Sequence, residues 1–252
     1  MSKIAFITGA SSGIGAACAR KFAQGGYTLL LNARSEDKLQ TLKTELETTY
    51  GTDIMLLPFD VRDRKAAAEA ITTLPERYQA IDVLVNNAGL ALGMDKEYAG
   101  VEADYDTMID TNITALLMIT RLVVPGMIER GRGHIINIGS VAGDAAYPGG
   151  SVYCATKAAV KVLSDGLRMD LVDTPLRVTN VKPGLVETNF SVTRFGGDKE
   201  RADKVYQGIK PLTGDDIADV VYYAASAPEH VQIAEVLVLA THQASGSLVY
   251  RK

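Results

Sequence analysis

The chain has 252 residues, and 26 Lys and Arg face 30 Asp and Glu, which gives a formal net charge of −4. This balance offers no electrostatic case for nucleic acid as the main partner. Apolar residues make up 47% of the chain, yet no run reaches the roughly 18 residues of a membrane span. Only Cys18 and Cys154 are cysteines, and the N-terminus has no signal-peptide pattern. We therefore expect a globular cytoplasmic protein with no membrane segment.

Short apolar runs alternate with longer amphipathic stretches along the chain, which is typical of βαβ units that feed one parallel sheet. The strands are predicted at 4–7, 28–32, 54–58, 82–86, 134–138, 177–181 and 235–239. The helices are predicted at 15–24, 36–48, 64–73, 101–129, 152–172 and 214–225. Pro125 is expected to end or kink the fourth helix. The fold class is α/β: a Rossmann-like, doubly wound sheet of about seven parallel strands with helices on both faces.

One segment, 185–210, departs from this alternation. Phe190, Arg194 and Phe195 lie there, together with two glycines, before a short charged helical stretch. Long irregular segments in compact folds are often lids or binding loops. No linker or internal repeat divides the chain, so we expect a single catalytic domain over 1–252 with a substrate lid at about 185–210.

A glycine-rich turn follows the first strand and reads Thr8-Gly9-Ala10-Ser11-Ser12-Gly13-Ile14-Gly15. Glycines let such a turn bend sharply and approach a pyrophosphate, while the amides of the next helix point at it. The alternative is a tight connection that only needs positive φ. The turn predicts cofactor contacts from Gly9, Ser11, Ser12, Gly13, Ile14 and Gly15.

The second strand ends in Asn32-Ala33-Arg34-Ser35, where an NAD-binding protein usually places an acid on the adenosine ribose. An acid would repel a 2′-phosphate, whereas Arg34 can hold one through charge-assisted bonds. We therefore predict NADP(H) rather than NAD(H) as the cofactor. The alternative is that Arg34 is a solvated residue at a helix entry.

Two further strand ends supply candidate cofactor residues. Asp60-Val61 follows the third strand, and the Asp60 carboxylate is expected to bond the adenine amino group. Asn87-Ala88-Gly89 follows the fourth strand. The carboxyl ends of parallel strands face one crevice, so these turns should meet there. For the amide of Asn87 the alternative is to tie neighbouring strands together.

Tyr153 follows Ser140 by thirteen residues, and Lys157 lies four residues further along the same predicted helix. Residues at this spacing share one helix face. A free phenol, with a pKa near 10, is a poor base at neutral pH, but a nearby ammonium favours the phenolate. The pair is a candidate proton-transfer device, although such pairs also occur by chance on helices.

These motifs, with Asn112 and Pro183-Gly184, resemble the short-chain dehydrogenase/reductase superfamily over essentially the whole chain. The resemblance implies that Tyr153 is the general acid or base and that Ser140 hydrogen-bonds the substrate oxygen. It implies that Lys157 lowers the phenol pKa and binds the nicotinamide ribose, and that Asn112 holds a relay water. The remaining cofactor positions that it implies are Pro183, Gly184, Val186 and Thr188.

Several stretches, including Tyr147-Pro148-Gly149-Gly150 and Thr241-His242-Gln243, are similar to the NADP-dependent serine and 3-hydroxy acid dehydrogenases. This similarity implies a small hydroxy acid (serine, L-allo-threonine or 3-hydroxypropionate type) or the corresponding carbonyl compound as substrate. Arg194 is expected to clamp the substrate carboxylate beside Ser140 and Tyr153; the alternative is a surface or interface arginine. Asn189 stands where relatives often carry an acid.

Two other functions stay open. One is a reductase of 3-oxoacyl thioesters or other carbonyl compounds, because the superfamily shares these catalytic residues. The other is an NADP(H) sensor without turnover, which the intact catalytic set disfavours. The three histidines lie far apart and predict no metal site. The resemblance also implies a homotetramer formed through the long fourth and fifth helices.

Overall fold

A computed structural model describes residues 2–252 and contains one parallel seven-stranded sheet. The strand order is β3-β2-β1-β4-β5-β6-β7, so the winding direction reverses between β1 and β4. The predicted fold class is confirmed. The strands are β1 Ile4–Thr8, β2 Thr28–Ala33, β3 Ile54–Pro58, β4 Ile81–Asn86, β5 His134–Ile138, β6 Arg177–Pro183 and β7 Glu235–Val238.

Helices connect the strands and cover both faces of the sheet. They are α1 Gly13–Gln24, α2 Glu36–Tyr50, α3 Arg64–Thr72, α4 Glu76–Gln79, α5 Glu102–Ile109, α6 Ala115–Arg130, α7 Ser151–Asp170, α8 Asn189–Arg194, α9 Lys199–Lys204 and α10 Gly214–Ser226. A π-helical turn, Asp110–Thr114, joins α5 to α6.

Pro125 was expected to end or kink the fourth helix, and it does not end it, because α6 runs through Pro125 to Arg130. A proline removes one N–H from the helix and leaves the carbonyl of the residue four positions earlier without that partner. Here that residue is Arg121, and both Arg121 and Pro125 are exposed. Water can therefore satisfy the carbonyl, and the helix continues. The irregularity lies instead in the π-helical turn.

The core has one apolar cluster on each face of the sheet. Ile7 and Leu31 point to the face that Phe22 of α1 and Val221 of α10 cover. On the other face, α3, α6 and α7 cover the sheet; Phe6 packs there with the buried residues Ile119 and Met127 of α6. Successive strand residues thus alternate between two buried faces, which explains why the strands are continuous apolar runs. Cys18 lies inside the first cluster, as expected.

The joined helix Glu102–Arg130 has 29 residues and is, within residues 2–252, the one helix long and apolar enough to cross a membrane. Ile119, Val123 and Met127 on it are buried against the sheet. A core helix passes the same length and composition test. Packing against the sheet therefore accounts for its apolar character.

A row of polar side chains crosses the sheet from the last residue of β4 to the first residue of β7. Asn86 lies opposite Asn137, Asn137 opposite Asn180, and Asn180 opposite Glu235. The Nδ2 of Asn86 donates to Oδ1 of Asn137 at 2.9 Å, and that of Asn180 to Glu235 at 3.1 Å. Since buried amides need such partners, the row fixes the register of these strands. It also marks where the apolar core ends and the polar crevice begins.

Candidate active site

A cleft of about 610 Å³ lies at the carboxyl ends of the strands and brings nearly all predicted site residues together. Gly15 and Asn112 are the two predicted residues that do not line it. The predicted residues that do are Gly9, Ser11, Ser12, Gly13, Ile14, Arg34, Asp60, Val61, Asn87, Ala88, Gly89, Ser140, Tyr153, Lys157, Pro183, Gly184, Val186, Thr188 and Arg194.

The glycine turn has the backbone that an anion cradle needs. Gly9 and Gly13 have φ of +65° and +54°, where a side chain would be strained. Gly15 is required for space, since a Cβ there would overlap the carbonyl oxygen of Gly9. Helix α1 begins at Gly13, with no side-chain cap from Ser12 and no acidic residue in its first turn. Its first amides are therefore available to a pyrophosphate, so the turn fits a dinucleotide.

Arg34, Asp60 and Val61, predicted to hold the adenosine part of the cofactor, line the same end of the cleft. The Arg34 side chain is 67% exposed, and its Nη1 lies 4.0 Å from Oδ2 of Asp60. The same oxygen accepts a hydrogen bond of 2.7 Å from Nη2 of Arg62. Arg62 also lowers the pKa of the Asp60 carboxyl. The sequence analysis did not identify Arg62 as a site residue. Its position two residues after Asp60 was the signal that could have identified it.

Asn87 ties the glycine turn to the end of β4. Its Nδ2 donates to the carbonyl oxygens of Thr8 and Gly9 at 2.9 and 3.2 Å. In return, Oγ1 of Thr8 accepts from the backbone amides of Asn87 and Ala88. The side chain of Asn87 thus joins neighbouring strands, which is the structural role considered for it, while the residue also borders the cleft.

Tyr153 and Lys157 lie one turn apart on α7 and are both buried, with 8% and 5% exposure. Burial raises the pKa of the Tyr153 phenol, while contact with Ser140 and the charge of Arg194 act in the opposite direction. Burial lowers the pKa of Lys157 to about 8, and its Nζ donates to the carbonyl of Ile138 at 2.7 Å. The pKa of the Tyr153 phenol is therefore raised, whereas the sequence predicted that Lys157 would lower it. Burial disfavours both the phenolate and the ammonium charge.

Ser140 lies two residues after the end of β5 and caps a short 3-10 helix, Val141–Gly143. Its Oγ accepts a hydrogen bond from the amide of Ala142 at 3.1 Å. Gly143 lets this helix touch α7, since a Cβ there would lie 2.7 Å from the carbonyl oxygen of Lys157. The close contact sets the distance between the Ser140 turn and the helix that carries Tyr153.

Asn112 lies in the π-helical turn and is 2% exposed. Its Nδ2 donates to the carbonyl of Leu90 at 2.8 Å and to Oγ1 of Thr156 at 3.0 Å. Its Oδ1 accepts from the amide of Leu90 at 2.9 Å. Both amide hydrogens are thus used to hold the loop after β4 against α7. Functional sites often contain such π-helical turns.

Segment 185–210 folds over the catalytic side chains. The rings of Phe190 and Tyr153 are 5.6 Å apart, and the Arg194 guanidinium lies 5.8 Å from the centre of the Tyr153 ring. Nη1 of Arg194 donates to the Tyr147 hydroxyl at 2.8 Å, and Nε to the carbonyl of Gly93 at 3.1 Å. Arg194 is therefore a cleft residue. Its Nη2 takes part in neither bond.

Other residues line the cleft that the sequence did not identify as site residues, although some of them lie in the predicted lid. Gln243 accepts a hydrogen bond from the amide of Leu185 at 2.8 Å. The hydroxyl of Tyr206 donates to the carbonyl of Val186 at 3.0 Å. Tyr147 and Gln243 stood within stretches that carried the family resemblance, but no spacing rule connects them to the catalytic pair. The lining residues missed in this way include Arg62, Tyr147, Phe190, Tyr206, Gln243 and Arg251.

None of the three histidines lines the cleft. His134 is buried in β5, where its Nε2 lies 2.8 Å from Oγ1 of Thr179. Burial lowers its pKa to about 3. Among residues 2–252, no three His, Cys, Asp or Glu side chains lie together as metal ligands would.

Known proteins share both the sequence and this architecture. The family described as short chain dehydrogenase matches residues 3–198. The NADP-dependent 3-hydroxy acid dehydrogenase of Salmonella typhi is 46% identical over 246 residues, covering 97% of this chain and 98% of that protein. The one from Schizosaccharomyces pombe is 45% identical over 251 residues, covering 99% and 97%.

Among solved structures, the closed form of serine dehydrogenase complexed with NADP+ is similar with a TM-score of 0.92 and 45% identity. The match covers 99% of this chain and 100% of that one. The resemblance seen in the sequence is thus confirmed along the full length. The chain belongs to the short-chain dehydrogenase family.

Proposed function

We propose that this chain is an NADP(H)-dependent oxidoreductase that oxidises the 3-hydroxyl of small 3-hydroxy acids or reduces the corresponding carbonyl. The observation that carries the proposal is the meeting of Ser140, Tyr153 and Lys157 at one end of a cleft whose other end holds a glycine turn and Arg34. The similarity to 3-hydroxy acid and serine dehydrogenases supports the substrate class.

In this proposal, each region of the cleft takes one part of the cofactor. The first amides of α1 hold the pyrophosphate, and Arg34 holds the 2′-phosphate. Lys157 binds the nicotinamide ribose, and Val186 and Thr188 bind the carboxamide. When bound, the nicotinamide exchanges a hydride with the substrate carbon.

In the reductive direction, the phenol O–H bond of Tyr153 breaks and the proton moves to the carbonyl oxygen, which Ser140 holds by a hydrogen bond. The Tyr153 phenol is protonated at neutral pH, as this acid role requires, although burial raises its pKa and so makes it a weaker proton donor. In the oxidative direction the phenolate must form. Ser140 and Arg194 favour it, because both lower the phenol pKa.

Asn112 acts as a positioning residue in this proposal. Both of its amide hydrogens bond to Leu90 and Thr156, and Oγ1 of Thr156 donates to the carbonyl of Tyr153 at 2.7 Å. Asn112 thereby fixes the loop that borders the nicotinamide end against the catalytic turn of α7. A relay water would then be bound by acceptor groups of this π-helical turn other than the Asn112 amide hydrogens' partners.

We also propose that the chain is one catalytic domain with residues 185–210 as its lid. Phe190 and Arg194 support this, since both pack over Tyr153. The protein is proposed to be a soluble cytoplasmic homotetramer. Val162 and Met169 on α7 and Val172 just after it are 68%, 74% and 84% exposed, which supports a subunit interface there. Light scattering after size exclusion tests the assembly, and a monomeric mass would contradict it.

Arg194 is proposed as the clamp for the substrate carboxylate. Tyr147 and Gly93 hold its Nη1 and Nε, so the guanidinium is oriented before substrate arrives, while Nη2 keeps its donors. Arg194→Met should raise KM for acids much more than for neutral carbonyl compounds. Arg201→Met is the matched control, because Arg201 lies on the same lid and stacks on Phe195. An equal loss on acids and neutral compounds would refute the clamp.

A coenzyme and substrate panel tests the whole proposal. Turnover is measured from nicotinamide absorbance with NADP(H) and NAD(H) on serine, L-allo-threonine, 3-hydroxypropionate and a 3-oxoacyl thioester. We expect NADP(H) and the hydroxy acids to be preferred. Tyr153→Phe should retain coenzyme binding but lower kcat by orders of magnitude. Preference for the thioester would replace the substrate class, and full activity of Tyr153→Phe would refute the mechanism.

A further inference from the structure

The turn after β3 holds one carboxylate between two arginines. Nη2 of Arg62 donates to Oδ2 of Asp60 at 2.7 Å, and Nε donates to Oδ1 at 3.1 Å. The backbone amide of Arg62 also donates to Oδ1, at 3.0 Å. Nη1 of Arg34 lies 4.0 Å from the Oδ2 side. All three residues line the adenosine end of the cleft.

This arrangement poses an electrostatic problem for a phosphorylated ligand. The Asp60 carboxylate is ionised at neutral pH and lies next to Arg34, the cation proposed to bind the 2′-phosphate. Without compensation, its charge would repel the phosphate and would occupy the Arg34 guanidinium. The two side-chain bonds from Arg62 cancel that charge in a fixed geometry. Asp110 also acts on Arg62 electrostatically, which favours its charged form.

We infer that Arg62 is a coenzyme-selectivity residue. It neutralises Asp60, so that Arg34 is free to bind a ligand with a phosphate monoester on its adenosine ribose. Arg62 performs this role through Asp60 and needs no contact with the phosphate. The inference rests on the proposed NADP(H) function and adds to it a second determinant of selectivity.

A purely structural role for Arg62 makes a different prediction. If the pair with Asp60 only stabilised the turn, its loss would weaken NADP(H) and NAD(H) binding alike. The Arg62 and Asp60 side chains are 36% and 27% exposed, and ion pairs this exposed contribute little to stability. Selectivity between the two coenzymes therefore separates the two roles.

The test measures binding directly, by calorimetric titration of NADP+ and NAD+ into wild type, Arg62→Met and the double variant Asp60→Asn/Arg62→Met. We expect Arg62→Met to bind NADP+ about tenfold more weakly, since one added unit charge acts on a dianion nearby. Its affinity for NAD+ should stay within about threefold. In the double variant, which lacks the carboxylate charge, the ratio of NADP+ to NAD+ affinity should recover, because a lost contact of Asp60 with adenine weakens both coenzymes alike. Added salt should reduce the difference between wild type and Arg62→Met, because it screens exposed charges.

Arg64→Met serves as the matched control, because Arg64 is exposed two residues further along and does not line the cleft. It should bind both coenzymes as wild type does. Unchanged selectivity of Arg62→Met, or no recovery in the double variant, would overturn the inference. Equal affinity of the wild type for both coenzymes would instead refute the proposed NADP(H) preference, so the two failures are distinguishable.

Discussion

Substitution of Gly143 by alanine tests how the Ser140 turn is positioned, because it adds only a Cβ. The φ of Gly143 is not in the left-handed region, so Gly143→Ala introduces a steric change without backbone strain. The new Cβ would lie 2.7 Å from the carbonyl oxygen of Lys157, whereas ordinary contact begins at 3.4 Å. The 3-10 helix and α7 must therefore move apart by several tenths of an ångström. Overpacking of this kind costs about 1–3 kcal/mol of stability.

The same movement displaces Ser140 relative to Tyr153. A misplacement of about 1 Å can lower a rate roughly a hundredfold, so we expect a smaller shift here to lower kcat about tenfold. Initial-rate kinetics and coenzyme titration measure the effect, and NADP(H) affinity should change little. Gly246→Ala is the matched control, since its Cβ would lie 3.8 Å from Ala142 and from Val141 on the same 3-10 helix. Wild-type kcat in Gly143→Ala, or an equal loss in Gly246→Ala, would refute this account.

Two further predictions concern stability. The pKa of His134 is about 3 in the folded protein and about 6.5 in the unfolded chain. As pH drops, the unfolded chain therefore binds a proton before the folded protein does. The free energy of unfolding falls as the pH drops between these two values. The slope is up to about 1.4 kcal/mol per pH unit. Urea unfolding should show a smaller loss in His134→Gln, and an equal loss would contradict it. Arg177 donates to the carbonyls of Ala225 and Ala227 at 3.1 Å each, so Arg177→Met should lower the unfolding free energy by about 1–3 kcal/mol without changing kcat; an unchanged Tm would contradict it.

Strands β1, β2, β4 and β5 were predictable because burial on both faces favours near-continuous apolar runs. The edge strand β7 instead alternates exposed and half-buried residues. Strand β6 shows the limit of this signal. It continues past Val181 through Lys182 and Pro183, where charge and proline conceal the pairing with β7. The helix does not end at Pro125 for a related reason, since the exposure of Arg121 is a property of the folded helix and not of the local sequence.

The candidate site likewise has some features that the sequence predicts and others that depend on the fold. The glycine turn and the Tyr153–Lys157 pair depend on short spacings, so the sequence alone identifies them. The balance that sets the phenol pKa depends on burial and on Arg194, which is far away in the chain. The sequence did not identify Arg62 and Tyr147 as site residues. Their contacts with Asp60 and Arg194 depend on where the turn and the lid lie in the folded protein. Local patterns thus predict which groups react, and tertiary structure determines how they are tuned.

The polar row formed by Asn86, Asn137, Asn180 and Glu235 separates two regions that can change independently. Below it, the strands pack between two apolar clusters, with His134, Thr179 and Asp82 as buried polar side chains among them, and above it lie the turns that border the cleft. Mutations in the lower region alter the free energy of unfolding without moving the turns, since distant sites contribute additively. Protein engineers can therefore repack the lower half for heat resistance and diversify the upper half for new substrates, with little interference between the two efforts.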